Sequence, residues 1–220
     1  VPGANEFHAQ LMGEGDVEIQ ANQTIMLNNS NNNYTGTTYI TQGIAGLGRD
    51  NSLGNTSALI IQEGAGLQLN GNNQIIGTLT AAGNIDLEGG SLTIQNGGTA
   101  ASNSLKNNGS LSLSGVVLSV SGVNPTLAAS VIVSPNAQVI LDNTQGLGSS
   151  AISNSGIMTL TGAAGNFENA ISNNGSFDIT NSTVNLKGVS TYSGPTTITQ
   201  SVVTIAQEEN LGAAASSVTL

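Results

Sequence analysis

The chain has 220 residues, with 3 Lys or Arg, 13 Asp or Glu and one His, and a formal net charge of −10. Charged residues make up 7% of it, against roughly 25% in a typical globular protein. Three cations far apart in sequence cannot neutralise a phosphate backbone, which excludes nucleic-acid binding. The absence of Cys excludes disulfides, thiolate nucleophiles and zinc–thiolate sites.

The two ends of the chain bear on targeting and on whether the polypeptide continues. Residues 1–6 have neither a basic run nor an apolar run, so we predict no signal peptide. No stretch approaches the ~18 apolar residues of a membrane-spanning helix. Residues 217–220 resemble a strand, and we therefore expect residues 1–220 to be a single fragment of a longer polypeptide.

Strand signals dominate the chain, and Gly or Asn interrupts most helical windows. Short alternations of apolar and polar residues, which place the apolar members on one face, occur at 17–19, 67–69, 85–87, 111–113 and 177–179. Each is about three to five residues long, shorter than a typical sandwich strand of about five to six. The sequence therefore predicts an all-β protein of many short strands.

A strand–turn unit recurs: an aliphatic residue, a short polar turn, Gly, and an apolar–polar–apolar strand. Its copies lie at 105–113, 152–160, 171–179 and, more loosely, 79–87. The spacing predicts a coil of about 20 to 26 residues, in the range of solenoids. At about 22 residues per coil and ~4.8 Å per strand spacing, the chain would form roughly ten coils of a parallel β-helix. Asn or Thr side chains at equivalent corners could stack into hydrogen-bonded ladders.

Two other folds fit the sequence less well than the β-helix. A leucine-rich repeat needs Leu-x-x-Leu-x-Leu-x-x-Asn at a steady spacing, and no run matches it. A β-sandwich would explain the alternation but not the strand–turn copies.

A longer repeat is more specific. Residues 34–42 align with 192–200, and the alignment continues without a gap to Leu53-Gly54 and Leu211-Gly212. The offset between Tyr34 and Tyr192 is 158 residues, which we interpret as about seven coils.

These stretches resemble the passenger-associated repeat of bacterial autotransporters. Residues 33–40 match its start, 53–54 its middle, 58–61 its aliphatic strand and 64–71 its closing Gly-x-x-Leu-x-Leu-Asn-Gly pattern. The second copy departs from the pattern at Thr191 and Pro195. The resemblance implies a right-handed parallel β-helix from a type V secretion passenger, fused in its precursor to a C-terminal outer-membrane β-barrel.

Catalytic chemistry has few candidates. His8 is the sole His and no Gly-x-Ser-x-Gly motif is present, so we predict no Ser-His-Asp triad. The carboxylate pairs Asp16/Glu18, Asp86/Glu88 and Glu208/Glu209 have a spacing that a glycosidase could use, yet any solvated strand produces the same spacing. We therefore expect no enzyme activity and assign no catalytic residue.

No motif in the sequence predicts a bound ion or cofactor, and we assign no metal ligand and no cofactor. Asp50-Asn51-Ser52 and Asp142-Asn143-Thr144 are isolated turns rather than calcium loops. Tyr34, Tyr39 and Tyr192 are interpreted as packed residues rather than sugar platforms. Thr78/Thr80 and Thr159/Thr161 do not recur in each coil, as an ice-binding face would require. Sequons occur at Asn22, Asn28, Asn33, Asn55, Asn108, Asn174 and Asn181.

These observations favour a non-enzymatic adhesin or self-association rod on the Gram-negative cell surface or secreted from it. Its partner would be a host surface molecule, a glycan, or other copies of itself. Two alternatives stay open: a β-helix carbohydrate-active enzyme or tailspike-like protein with paired carboxylates over an aromatic floor, and an inert spacer stalk.

Overall fold

A computed structural model describes residues 5–213 and 216–220. Residues 1–4, part of the segment in which no signal peptide was predicted, lie outside the described residues. The described chain is a parallel β-solenoid of about 11 turns, with one short 3-10 helix at Glu208–Leu211. None of its helices could cross a membrane. The strands are β1 (Asn5–Phe7), β2 (Val17–Leu27), β3 (Thr37–Leu47), β4 (Ala58–Ile61), β5 (Gly66–Gln68), β6 (Asn73–Ile76), β7 (Thr78–Ala81), β8 (Asn84–Asp86), β9 (Ser91–Ile94), β10 (Gly98–Ala100), β11 (Leu105–Lys106), β12 (Ser110–Leu113), β13 (Val117–Val120), β14 (Ser130–Val133), β15 (Gln138–Leu141), β16 (Ala151–Asn154), β17 (Ile157–Thr161), β18 (Ala164–Phe167), β19 (Ile171–Ser172), β20 (Ser176–Thr180), β21 (Thr183–Leu186), β22 (Thr196–Thr199), β23 (Val202–Ile205) and β24 (Val218–Thr219).

The strands stack along three faces of the solenoid. Face one runs from the first part of β2 and β3 through β4, β7, β10, β13, β15, β17, β20 and β22 to β24. Face two contains β1, the last part of β2 and β3, β5, β8 and β11, and then β18, β21 and β23. Face three is the six-stranded sheet β6, β9, β12, β14, β16 and β19.

Inward side chains form unbroken aliphatic columns. On face one a single column runs from Ile19 and its partner Ile40 to Ile179 and its partner Ile198. Each member pairs with the equivalent residue of the next turn. The members between them are Ile61, Ala81, Ala100, Val120, Leu141 and Leu160. Nearly all of these are buried, so each turn hides its apolar edge against its neighbours.

The turns are on average shorter than the length inferred from the sequence. Met158 pairs with Phe177 in the next turn, and Phe177 pairs in the same way with Thr196. The overestimate arose because the strand–turn unit marks corners rather than whole turns. Gly109 precedes a face-three strand, whereas Gly156 precedes a face-one strand, so their separation is not a multiple of one turn.

The 158-residue repeat spans eight turns rather than the seven inferred. From Thr38 the ladder passes to Thr196 through Leu59, Leu79, Gly98, Leu118, Val139, Met158 and Phe177. Thr38 and Thr196 therefore occupy the same position of face one. The count of seven followed from the overestimated turn length.

Both copies of the repeat build the same corner. Tyr34 and Tyr192 are buried, and each hydroxyl lies 2.6 Å from Oγ1 of the Thr four residues on, Thr38 or Thr196. One turn later a Gly at positive φ passes over each ring, Gly54 over Tyr34 and Gly212 over Tyr192. The motif residues thus specify a packed corner, which confirms the interpretation of both tyrosines as structural.

Candidate interaction surfaces

The outward side of face three carries no charged side chain in the part of the chain that the structure describes. Its side chains alternate with the buried column along each strand. We call this surface the serine face; its outward residues are Asn73, Ile75, Ser91, Thr93, Ser110, Ser112, Ser130, Ile132, Ala151, Ser153 and Ser172. Six strands at ~4.8 Å spacing give it a height of about 24 Å.

The serine hydroxyls on this surface differ in whether the protein itself uses them. Ser172 donates to the Ile152 carbonyl, and Ser153 accepts from Nδ2 of Asn173. Within the described residues, no side-chain hydrogen bond engages the hydroxyls of Ser91, Ser110, Ser112 or Ser130. The surface therefore offers small, uncharged donors and acceptors on a regular sheet.

Charged side chains lie on the other faces and at the corners. Glu18 and Asp178 occupy outward positions of face one, and Lys106 lies beside Asp86 on face two. Lys187 Nζ lies 3.5 Å from Glu168 Oε1 in an exposed ion pair, which contributes little to stability. The serine face is thus neutral on a chain whose net charge is −10.

A polar groove of about 490 Å³ runs across four successive turns beside the first strand of face three. Its mouth carries the exposed amides of Asn51, Asn55, Gln95 and Asn96, and we call it the amide groove. The rest of its described lining is Ser30, Asn32, Gly54, Thr56, Ser57, Ile75, Ile76 and Gly77, and none of these lining residues is charged.

The groove forms because turns replace face-three strands in the early part of the solenoid. Residues 48–57 fold as turns and reach β6 through the Asn51 N–H, which donates to the Asn73 carbonyl. At the corner, a Cβ on Gly77 would collide with the backbone oxygen of Ser57. Only glycine fits there, and it lets the backbones of the two turns come into close contact at the groove.

The floor and the mouth of the groove differ in how their polar groups are used. Asn32 is buried, accepts from the Leu11 N–H at 2.8 Å and donates to the Ser52 carbonyl at 2.7 Å. Thr56 donates to the carbonyl of Gly36 at 3.0 Å. At the mouth, the four amides make no side-chain hydrogen bond to any described residue. The polar groups of the floor are therefore already paired, whereas the amides of the mouth can bind a ligand.

The first predicted carboxylate pair binds the backbone and side chains of the next turn. Asp16 Oδ1 accepts from the Thr37 N–H at 2.7 Å, and Glu18 Oε1 accepts from the Thr41 hydroxyl at 2.9 Å. Both carboxylates therefore tie adjacent turns together.

Asp86 and Glu88 lie close together at the end of β8. Asp86 Oδ1 accepts from Asn107 Nδ2 at 2.6 Å. Partial desolvation, followed by the charge of Asp86 and a hydrogen bond to it, raises the pKa of Glu88 above its usual value. The pocket beside Asp86 is lined by residues 44, 64–68, 84 and 106 as well, and none of them is aromatic. The aromatic floor expected by the carbohydrate-enzyme hypothesis is therefore not found at this described pocket.

The remaining candidate residues do not converge. His8 Nε2 lies 2.8 Å from Glu6 Oε2 on an exposed segment, and Glu208 and Glu209 begin the 3-10 helix. Asp50 accepts from the Asn73 N–H at 2.8 Å and Asp142 from the Gly122 N–H at 2.6 Å, so both turns satisfy backbone donors. No cluster of three or more His, Cys, Asp or Glu with metal-binding geometry occurs among the described residues.

The other singled-out residues lie on different parts of the surface. Tyr39 is half-buried on the outer side of β3, and the threonine pairs lie on β7 and β17 of face one. All the sequon asparagines are exposed except Asn28, which is half-buried.

Neither surface was predicted from the sequence, because neither is marked by a charged or aromatic motif. The serine face could have been found from the run of strands 91–94, 110–113 and 130–133, whose outward positions are Ser, Thr or Ile. No local pattern marks the amide groove, because its lining comes from four different turns.

Comparison with known proteins identifies two relatives in Escherichia coli K12. The protein named "uncharacterized lipoprotein YdeK" is 37% identical over 162 residues, which cover 73% of this chain and 12% of that protein. The "uncharacterized protein YuaQ" is 36% identical over 160 residues, which cover 71% of this chain and 12% of that protein.

The chain therefore spans about one eighth of the length of these curated relatives, since both alignments cover 12% of the longer protein. No protein-family model matches the chain. No solved structure matches it either.

Proposed function

We propose that the chain is a segment of an autotransporter passenger that acts, without enzymatic activity, as an adhesin and self-association rod. The serine face carries this proposal: an acidic chain keeps one extended sheet surface free of charge. On this surface two copies can approach with the least repulsion, and exposed hydroxyls can bind across the contact.

The secretion class rests on the long repeat. Its first copy resembles the passenger-associated pattern, its second copy departs from that pattern at Thr191 and Pro195, and each forms the same tyrosine corner on a parallel β-helix. In the proposed precursor, an outer-membrane β-barrel follows the passenger. The relative that is named a lipoprotein supports a location in the cell envelope, and we propose display on the outer-membrane surface or secretion from it.

The area of the serine face determines how strongly one segment can bind another. A face about 24 Å high and one short strand wide, about 13 Å, covers about 300 Å². A stable interface buries about 800 Å² per partner. A single segment therefore binds weakly, and firm adhesion requires several such segments along a longer rod.

Analytical ultracentrifugation across concentration and salt tests self-association. The variant Ser91→Glu/Ser130→Glu places two charges on the serine face, two turns apart. Thr80→Glu/Ser119→Glu places two charges at the same spacing on face one and is the matched control. We expect weak association of the wild-type chain that rises with salt, loss of it in the serine-face variant, and its retention in the control.

Other results would contradict this proposal. Equal association in both double variants would show that the serine face does not mediate self-association. A chain that stays monomeric at all protein and salt concentrations would contradict self-association and favour the spacer stalk.

A second candidate function, carbohydrate cleavage, has one supporting observation. Glu88 has a raised pKa and lies beside a second carboxyl, Asp86, and a glycosidase uses two neighbouring carboxyl groups of different pKa. If the wild-type chain cleaves neutral or acidic glycans and both Asp86→Asn and Glu88→Gln abolish that cleavage, the enzyme function would be favoured over the adhesin function.

A further inference from the structure

We infer that the amide groove is a binding site for a neutral oligosaccharide. The inference rests on the proposed function, because it assigns the adhesive rod a ligand class, yet the groove and the serine face are built from mostly different residues. The site lies where the turns of residues 48–57 meet β6, and its volume of about 490 Å³ falls within the ~300–1,000 Å³ of ligand sites.

The chemistry of the mouth matches sugar hydroxyls. A carboxamide offers two donors and an acceptor on one planar group, so it can bind a hydroxyl in either direction. Asn51, Asn55, Gln95 and Asn96 place four such groups around one opening, and none is engaged by another described side chain. Binding a sugar would therefore not require an existing hydrogen bond of the protein to break.

The charge distribution selects a neutral ligand. No described lining residue carries a charge, and the nearest carboxylate in sequence, Asp50, already accepts from the Asn73 N–H. An acidic sugar would find no cation in the lining itself and would be repelled by a net charge of −10; the nearest cation in sequence is the exposed Arg49. One aliphatic side chain, Ile75, is 46% exposed at the opening and offers an apolar surface for the faces of sugar rings.

The shape favours a chain of sugar units over a peptide. The lining spans three turn-to-turn spacings, about 14 Å, along the solenoid axis. A bound peptide would need a free strand edge or several apolar anchors. The groove backbone is instead paired with neighbouring turns, as in the Gly77 N–H that donates to Thr56 and the Asn96 N–H that donates to Gly77.

The test is an NMR titration of the chain with neutral tetrasaccharides of glucose and of N-acetylglucosamine, with tetragalacturonate as the acidic probe. We expect at least one neutral probe to shift the side-chain amide resonances of Asn55, Gln95 and Asn96. The variant Asn55→Ala/Asn96→Ala should weaken that binding about tenfold, as loss of two modest hydrogen bonds predicts. Asn108→Ala/Asn174→Ala, which removes two exposed amides elsewhere, should leave it unchanged.

Three outcomes would overturn the inference. They are the absence of shifts at millimolar concentrations of the neutral probes, equal weakening in both double variants, and preferential binding of tetragalacturonate or of an unrelated peptide. Ultracentrifugation of the same variants separates the two proposals: a failed titration with intact self-association rejects the groove alone.

Discussion

The hydroxyl of Tyr192 lies 2.6 Å from Oγ1 of Thr196 inside the solenoid. Thr196 and Thr38 lie in the same column, no member between them has a polar side chain, and Phe177 comes directly before Thr196 in the ladder. The Phe177 and Tyr192 rings meet edge to face at 6.1 Å. A polar pair is therefore tolerated in the core because each partner satisfies the other.

We expect Thr196→Val to destabilise the chain by about 1–3 kcal/mol, because it leaves the buried Tyr192 hydroxyl without a partner. Adding Tyr192→Phe should recover most of that loss, since both polar groups are then gone. Urea unfolding measures the effect. Thr197→Val, on the outer side of the same strand, is the control and should change stability by less than about 0.5 kcal/mol. With Tyr192→Phe also measured alone, a double variant whose loss equals the sum of the two single losses would show that the pair contributes no coupling.

Gly54→Ala should cost more than Gly64→Ala, although both glycines have positive φ. A Cβ at residue 54 would lie 3.1 Å from Cδ1 of Tyr34, whereas a Cβ at residue 64 has no neighbour within 4 Å. Backbone strain of about 1–2 kcal/mol applies to both, and overpacking adds about 1–3 kcal/mol at residue 54 only. Thermal unfolding of the two variants compares them. Equal losses would mean that the tyrosine ring does not constrain this glycine.

Stability should fall in alkali. Burial raises the pKa of Tyr34 to about 12, despite the opposing hydrogen bond to Thr38, and burial also raises the pKa of Tyr192. The stabilisation by neutral Tyr34 is complete below the unfolded-state pKa of about 10 and is lost as pH rises to about 12, because the unfolded chain releases the proton first. A shift of this size corresponds to about 3 kcal/mol.

Denaturant unfolding between about pH 9 and pH 12, with tyrosinate absorbance as a second signal, checks this dependence. Tyr34→Phe should lose less stability over that interval than the wild type. The prediction fails if the two curves run parallel.

Deletion of one turn should preserve the fold. Ile157 pairs with Ser176 in the next turn, so removing residues 157–175 joins Gly156 to Ser176 and keeps every column in register. We expect a parallel-β circular dichroism spectrum and a cooperative unfolding transition. Removing only residues 157–166 would place Phe167 and the turn that follows it on face one and should prevent cooperative folding. Similar behaviour of the two deletions would contradict the register.

The fold class was predictable because its signals are local. Alternation at residues 111–113 and 177–179 is visible within each short segment, and both segments are strands of the solenoid. Turn length was not predictable from the strand–turn unit, since Asn and Gly at a corner look alike whichever face follows. The corner at Gly156 stacks on the corner at Gly175, one true turn apart, whereas Gly109 belongs to another corner.

The candidate surfaces were less predictable for a different physical reason. Their defining property is the absence of charge over neighbouring positions, and neighbours on adjacent turns of a solenoid are separated in sequence by a whole turn. Ser110 and Ser130 are adjacent on the serine face, and Asn55 and Asn96 share one groove. Only the register of the ladder brings such residues together.

The matching positions of Thr38 and Thr196 have a consequence for how such rods change length. The two tyrosine corners are alike in sequence and lie at the same angular position around the solenoid axis, a whole number of turns apart. An unequal genetic crossover between them would add or remove 158 residues without a misaligned junction. Selection can therefore lengthen or shorten the reach of the protein in one event, with no intermediate that fails to fold.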